Sequence, residues 1–164
     1  MLSALRTRER QGWTIFDLDW RPMFWRDPDF AGDLYREALA GATVAIGNRD
    51  EVEVAVGTRD PAEAAERLLE LGVELAIVKQ GADGVLVATR EGETIVPPKR
   101  VEVVCGLGAG DAFGGALCHR LLAGDGPPEA VRWANAAGAI VASRLLCADA
   151  MPTEAEIREL LETP

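Results

Sequence analysis

The chain has 164 residues, 48% apolar and 27% charged, with 17 Lys and Arg against 27 Asp and Glu and a formal net charge of −10. That length suits one domain with a real core, and no apolar run nears the roughly 18 residues of a membrane span. Dispersed cations in an acidic chain argue against nucleic acid, which calls for a basic patch, and an anionic substrate would need local positive charge to overcome the net field.

The opening MLSALRTRERQGW is basic but lacks an apolar segment and a small-residue cleavage site, so no signal peptide is expected. Residues 2–10 suggest the tail of a helix with neither N-cap nor partner, and Trp13 to Leu18 a short buried strand. A helix is predicted over 29–40, with Asp29 near its start and Gly41 at its end. Thr43 to Ile46 suggests a second strand, after which Asn48 opens a short helix. Asp60-Pro61 opens another helix that Gly72 closes, the expected placement of Pro and Gly. Leu75 to Lys79 (LAIVK) suggests a third strand, and GVLVATREGETIVP alternates as a hairpin turning at Glu91-Gly92. An extended piece is predicted at 101–104. A glycine-rich turn then leads into a long helix, an Ala-rich helix over 128–146 follows, and a last helix over 153–162 is capped by Thr153 with Glu156 three residues on. Strands alternating with helices give an α/β class with a mainly parallel sheet. The opening half-helix and strand predict an incomplete sheet with further chain before residue 1.

Cys105, Cys118 and Cys147 form no CxxC pair and are odd in number. This argues against a disulfide framework or zinc site and for a reducing cytoplasm. His119, the sole histidine, sits in an apolar helical stretch that suits a packed or surface role better than a catalytic one.

The most informative stretch is Gly106-Leu107-Gly108-Ala109-Gly110-Asp111-Ala112-Phe113-Gly114-Gly115. Its glycines let a ligand approach the backbone, and free N–H groups at a helix start make an anion site. Phosphate is the natural occupant. Asp111 at that helix start is stabilised as a carboxylate. A carboxylate beside an anion site can take a proton from a hydroxyl while the amides stabilise a transferring phosphoryl group. A plainer reading is open: the glycines make a tight turn and Asp111 caps the helix. A Rossmann fingerprint fails because Asp111 stands where its third glycine belongs, and a Walker A loop fails for want of its lysine.

GAGDAFGGAL resembles the C-terminal signature of the PfkB (ribokinase-type) carbohydrate kinases. The resemblance implies a ribokinase-like three-layer α/β/α fold, ATP and Mg²⁺ as cofactors, Asp111 as the base, and Gly108, Ala109 and Gly110 as the γ-phosphate anion hole. Where the family often has Asp-Thr-Thr, this chain has Cys105, Gly106 and Leu107.

Other segments take roles from the same resemblance. Asn48-Arg49-Asp50-Glu51 matches the NxxE motif, implying that Asn48 and Glu51 hold Mg²⁺ through water, as a hard cation that keeps its waters allows. By residue type alone it is a capping box. Lys79 and Gly81, in KQGADG, would run along the nucleotide, although a simple turn explains the composition. Asn135, in ANAAGA, would reach the adenine, although such a helix face also suits tight packing. Asp17-Leu18-Asp19-Trp20-Arg21 with Trp25 resembles the branch that phosphorylates acid sugars. Arg21 would then grip a sugar carboxylate bidentately, or else pair with Asp17 or Asp19.

Within that branch, the resemblance of FDLDWRP implies 5-dehydro-2-deoxygluconate of myo-inositol breakdown as substrate, with 2-keto-3-deoxygluconate as the alternative. The resemblance runs over about 12–160 and makes residues 1–164 the C-terminal, ATP-binding and catalytic part of the family domain. The half that carries most of the sugar pocket and a dimer-forming lid is absent, so a homodimer is expected only of a complete parent. A non-catalytic nucleotide-binding fragment is the rival expectation.

Overall fold

The computed structural model describes residues 1–25 and 28–163. They fall into two compact units, Met1–Ile95 and Val96–Pro164.

The first unit carries the sheet. Its elements are α1 (Leu2–Arg8), β1 (Ile15–Asp17), α2 (Pro28–Leu39), β2 (Val44–Asn48), α3 (Arg49–Val56), α4 (Pro61–Glu70), β3 (Leu75–Lys79), β4 (Val85–Thr89) and all but the last residue of β5 (Gly92–Val96). The strands lie in the order β1-β2-β3-β4-β5. Phe16 pairs with Ala45 and Ala45 with Ala76 in parallel, whereas Val78 meets Leu86 in an antiparallel ladder. The sheet is therefore α/β but mixed. Parallel strands need a crossover of a dozen or more residues, and only residues 80–84 join β3 to β4, so the chain folds back.

Consecutive buried residues in β2, β3 and β4 mean that both faces of the central strands are covered. On one face Ala45, Ala76, Val78 and Leu86 join Tyr35 and Leu39 of α2, Val52 of α3 and Leu68 of α4 in a single core. Local chemistry sets the helix ends. Asp60 accepts from the Glu63 N–H and Pro61 fills the first turn of α4. Gly57 closes α3 at φ 78°.

The N-terminal helix has a partner after all. Leu2 and Leu5 pack on the core, and Arg10, two residues past the helix, locks it down. Arg10 donates to the carbonyls of Ala40 (3.2 Å), Ala42 (2.5 Å) and Gly72 (2.6 Å) and to Glu74 (3.1 Å). These carbonyls lie just past α2 and α4, where a helix leaves acceptors without intrahelical donors.

The second unit is helical: α5 (Ala109–Leu122), α6 (Pro127–Ala142) and α7 (Glu154–Glu162). Ala112, Trp133, Ala137, Ile140 and Ile157 are among its core residues. The Arg120 guanidinium lies 4.3 Å from the Trp133 ring centroid, and the indole N–H donates to Glu129 at 2.9 Å. Thr153 and Glu156 form the predicted capping box of α7. The Thr153 N–H and the Arg144 guanidinium hold the Glu156 carboxyl down at about 2.

Two expectations differ here. The 101–104 segment joins no strand among the described residues; the N–H groups of Val104 and Cys105 both donate to Ala142 O, at 2.8 and 3.0 Å. That same carbonyl would have to accept from residue 146 for α6 to continue. With the carbonyl occupied, and the Ser143 hydroxyl donating back to Ile140 O at 2.8 Å, the helix stops at Ala142 rather than 146. No helix among the described residues is long and apolar enough to cross a membrane.

Candidate active site

In a parallel sheet, ligands bind beyond the carboxyl ends of the strands, where loops converge. In the first unit β1, β2 and β3 end in Asp17, Asn48 and Lys79, and Asn48 and Lys79 are register partners. The residues singled out in this half thus leave the sheet from one edge.

Asn48 and Glu51 form a full capping box. Asn48 Oδ1 accepts from the N–H groups of Asp50 (2.9 Å) and Glu51 (3.0 Å), and Glu51 Oε2 accepts from the Asn48 N–H at 2.6 Å. Lys79 Nζ stands 3.9 Å from the same Glu51 oxygen. Glu51 is 8% exposed. Burial pushes its carboxyl above the ordinary value, against the opposing pull of the Lys79 ammonium and the Asn48 N–H, and the Asp17 and Asp19 carboxylates add to the rise. A folded-state value above the unfolded one makes the contribution of Glu51 to stability full below the ordinary carboxylate range, with loss as pH rises through the raised value. Glu51→Gln removes that loss. Urea unfolding at pH 4 and pH 7 should show the variant gaining on the parent as pH rises; parallel pH profiles would refute the burial argument.

Tyr35 of α2 donates to Leu18 O at 2.7 Å, and burial, then Glu51, Asp19 and Asp17, push its phenol up to about 12. It stays protonated and pins the carbonyl between the two aspartates. Trp20 and Trp25 lie 6.4 and 5.9 Å from the Tyr35 ring, so the 17–25 segment is anchored by aromatic contacts. Arg21 follows this anchor. Its Nε and Nη2 lie 2.9 and 2.8 Å from Asp19 Oδ1, the alternative pairing its neighbourhood allowed. The guanidinium is about half exposed.

Gly81 opens a 3-10 turn over Gly81–Asp83 with φ 64°, and a Cβ there would meet nothing within 4 Å. Space therefore lies beside its backbone. Gly84, at φ 91° and ψ −149°, takes a conformation essentially restricted to glycine, and the Gln80 N–H closes the turn on Gly84 O at 2.8 Å.

In the second unit the glycine turn enters α5 directly. Gly108 is the N-cap at φ 84°, and Ala109, Gly110 and Asp111 form the first turn. Ala109 N–H bends back to Gly106 O at 3.3 Å. Among the described residues the Gly110 and Asp111 amides meet no backbone carbonyl, as expected of the first turn of a helix. A Cβ on Gly110 would meet nothing within 4 Å, and Asp111 is exposed. Aligned amides, open space and a carboxylate share one helical turn. Gly138 of α6 permits the close approach of α5: a Cβ there would sit 3.1 Å from Ala109 O. One turn earlier, Asn135 donates to Pro97 O at 3.2 Å, so its side-chain amide holds a loop in this structure.

His119 is surface-placed, 3.6 Å from Glu154. No group of three or more His, Cys, Asp or Glu among the described residues could hold a metal ion directly. Two contacts had no sequence signal. Cys147 packs on Gly108, its Sγ 2.5 Å from where a Cβ would be, and Arg49 reaches across to Gln80 and Asp83. Both join residues more than 30 positions apart, beyond any local pattern.

Comparison with known proteins extends these observations. The profile of the pfkB family carbohydrate kinases matches residues 1–154. The 5-dehydro-2-deoxygluconokinase of Geobacillus thermodenitrificans is 32% identical over 165 residues, which cover 97% of this chain and 49% of that protein. The chain thus spans about half the length of the curated relatives it matches. Among solved structures, aminoimidazole riboside kinase from Salmonella enterica, complexed with aminoimidazole riboside and an ATP analog, superposes with a TM-score of 0.88 at 33% identity, over 99% of this chain and 57% of that one. An E. coli protein described as a ribokinase II, in complex with ATP and Mg²⁺, superposes with a TM-score of 0.85 at 26% identity, over 98% and 51%. The fold is ribokinase-like.

Proposed function

The chain belongs to the pfkB family of carbohydrate kinases, and from that premise we propose that it forms the nucleotide-binding, catalytic part of a kinase that phosphorylates an acid sugar. The observation that carries this reading is the start of α5, where Asp111 stands on the same turn as the amides of Gly110 and Asp111 itself. In the proposed reaction the sugar hydroxyl oxygen bonds to the γ-phosphorus of ATP, the bond to the β-phosphate bridging oxygen breaks, ADP leaves, and Asp111 takes the hydroxyl proton. The helix-start amides, with Gly108 shaping their approach, stabilise charge on the transferring group.

Glu51 and Asn48 would hold Mg²⁺ through ordered water, with Asn48 Oδ1 and Glu51 Oε2 already accepting in the capping box. Bound Mg²⁺ would supply neutralisation of phosphate charge. Lys79 and the Gly81 turn would lie along the nucleotide, and Asn135 would exchange Pro97 O for the adenine. Arg21 would exchange Asp19 for the substrate carboxylate, supplying the local positive charge that a chain of net charge −10 otherwise lacks.

The substrate we favour is 5-dehydro-2-deoxy-D-gluconate, supported by the Geobacillus relative and by Arg21 in FDLDWRP; 2-keto-3-deoxygluconate is the alternative acid. The alternative reading is that the chain binds nucleotide without turnover. The test is calorimetric titration of MgATP into the folded chain, then assays of both acids with ATP. Binding with phosphorylation of the first acid is the expected result. Binding without turnover points to the non-catalytic reading, and a folded chain that binds no nucleotide overturns the proposal.

A further inference from the structure

Arg49 is the first residue of α3, and its guanidinium leaves the helix sideways. Nη2 lies 3.1 Å from Gln80 Oε1 and 3.0 Å from Asp83 Oδ2. It thereby ties the residue next to the Asn48–Glu51 capping box to the turn around Gly81, which starts one residue past β3. Both contacts lie within the first unit.

As a stability device this arrangement is poor. A cation on the first turn of a helix faces the positive end of the helix dipole. The ion pair to Asp83 is exposed, with side-chain accessibilities of 40% and 66%, and such pairs contribute little. Arg49 Nε is buried without a hydrogen-bond partner, which costs more than an exposed pair returns. The gain is geometric. The turn has few bonds of its own beyond Gln80 N–H to Gly84 O at 2.8 Å: Gly84 N–H reaches Gly81 O at 3.2 Å and Asp83 N–H reaches Gln80 O at 3.4 Å. Two glycines at φ 64° and 91° loosen it further. Both bonds come from Nη2, whose two N–H groups have directions fixed by the guanidinium plane, whereas a lysine ammonium turns freely about its last bond and holds two acceptors less firmly.

We propose that Arg49 is a positioning residue that holds the 80–84 turn where it receives the nucleotide; this rests on the kinase reading above. It acts through Gln80 and Asp83 and touches no reacting atom.

The experiment compares the full 164-residue chain with Arg49→Met, Arg49→Lys and Asp83→Asn by three readouts. These are hydrogen exchange at residues 80–84 without nucleotide, MgADP affinity by calorimetry, and thermal midpoint. Arg49→Met should speed exchange at the turn about tenfold and weaken MgADP by a similar factor, with little change in midpoint. Arg49→Lys should recover only part of both effects, and Asp83→Asn should fall between. Unchanged exchange, or faster exchange with unchanged MgADP affinity, overturns the positioning role. If the wild-type chain itself binds no MgADP, the kinase reading fails, and the nucleotide-free exchange data tell that failure apart. Should Arg49→Met not fold, Gln80→Ala/Asp83→Ala removes the same two acceptors with the start of α3 intact and is judged by the same outcomes.

Discussion

Asp111→Asn is expected to lower turnover by a factor of about 10² to 10⁴, the range a positioned general base supplies, while MgATP affinity changes by less than about threefold. Asparagine keeps the shape of the side chain and its place on the first turn of α5, so the amides and glycines around it persist. In the proposed mechanism what goes is the ability to accept the hydroxyl proton, which would matter only as the transition state forms. Loss of the carboxylate from a helix start costs about 0.3–1 kcal/mol in stability, too little to unfold the chain and mimic the effect. The measurement is kcat beside a calorimetric MgATP titration on the same preparations. A variant with full turnover would remove Asp111 from the mechanism. One that lost nucleotide binding in proportion to turnover would make it a binding residue instead.

Gly108→Ala should be the most damaging small change in the glycine turn. Two costs add. At φ 84° any Cβ strains the backbone, by roughly 1–2 kcal/mol. The new methyl also falls 2.5 Å from Cys147 Sγ, an overlap of the kind that costs about 1–3 kcal/mol. Together they predict a destabilisation of about 2–5 kcal/mol by urea unfolding, with weakened MgATP binding as the amides of the turn move. The costs separate in the background of Cys147→Ala, because the next nearest atoms of residue 147 are 3.5 Å away. There only the backbone strain should remain. An equal penalty in both backgrounds would mean that the sulfur contact contributes nothing.

The parts of this structure that were legible in the sequence are those decided within four residues. LAIVK names its strand because a fully buried strand is a short apolar run, and β3 has those bounds. Thr153 with Glu156, Asn48 with Glu51, and Asp60 with Pro61 each place a helix start because a cap is a local hydrogen bond. The turn at Gly108–Asp111 is legible for the same reason. Contacts closed over distance were not legible. The end of α6 is set by two amides some forty residues upstream that occupy Ala142 O. The partner of α1 is set by carbonyls 30 and 62 residues from Arg10. At the candidate site, residue types suggested Arg21 and an aspartate partner, and the fold shows a pair with Asp19. Arg49 carried no signal because its two acceptors are ordinary turn residues until β2 and β3 pair.

The grip of Arg10 has a consequence for proteases. Trypsin recognises an arginine by drawing its guanidinium into a deep acidic pocket, and this guanidinium is already enclosed by three carbonyls and Glu74. The peptide bond after Arg10 can therefore be cut only in molecules where the first ten residues have peeled away, so its cleavage rate reports how often that happens. Arg6, whose contact is a single exposed pair with Glu37, carries no such protection. The first cut in a limited digest should leave the Arg10 bond whole, and the loss of that bond would time the moment the N-terminal segment comes undone.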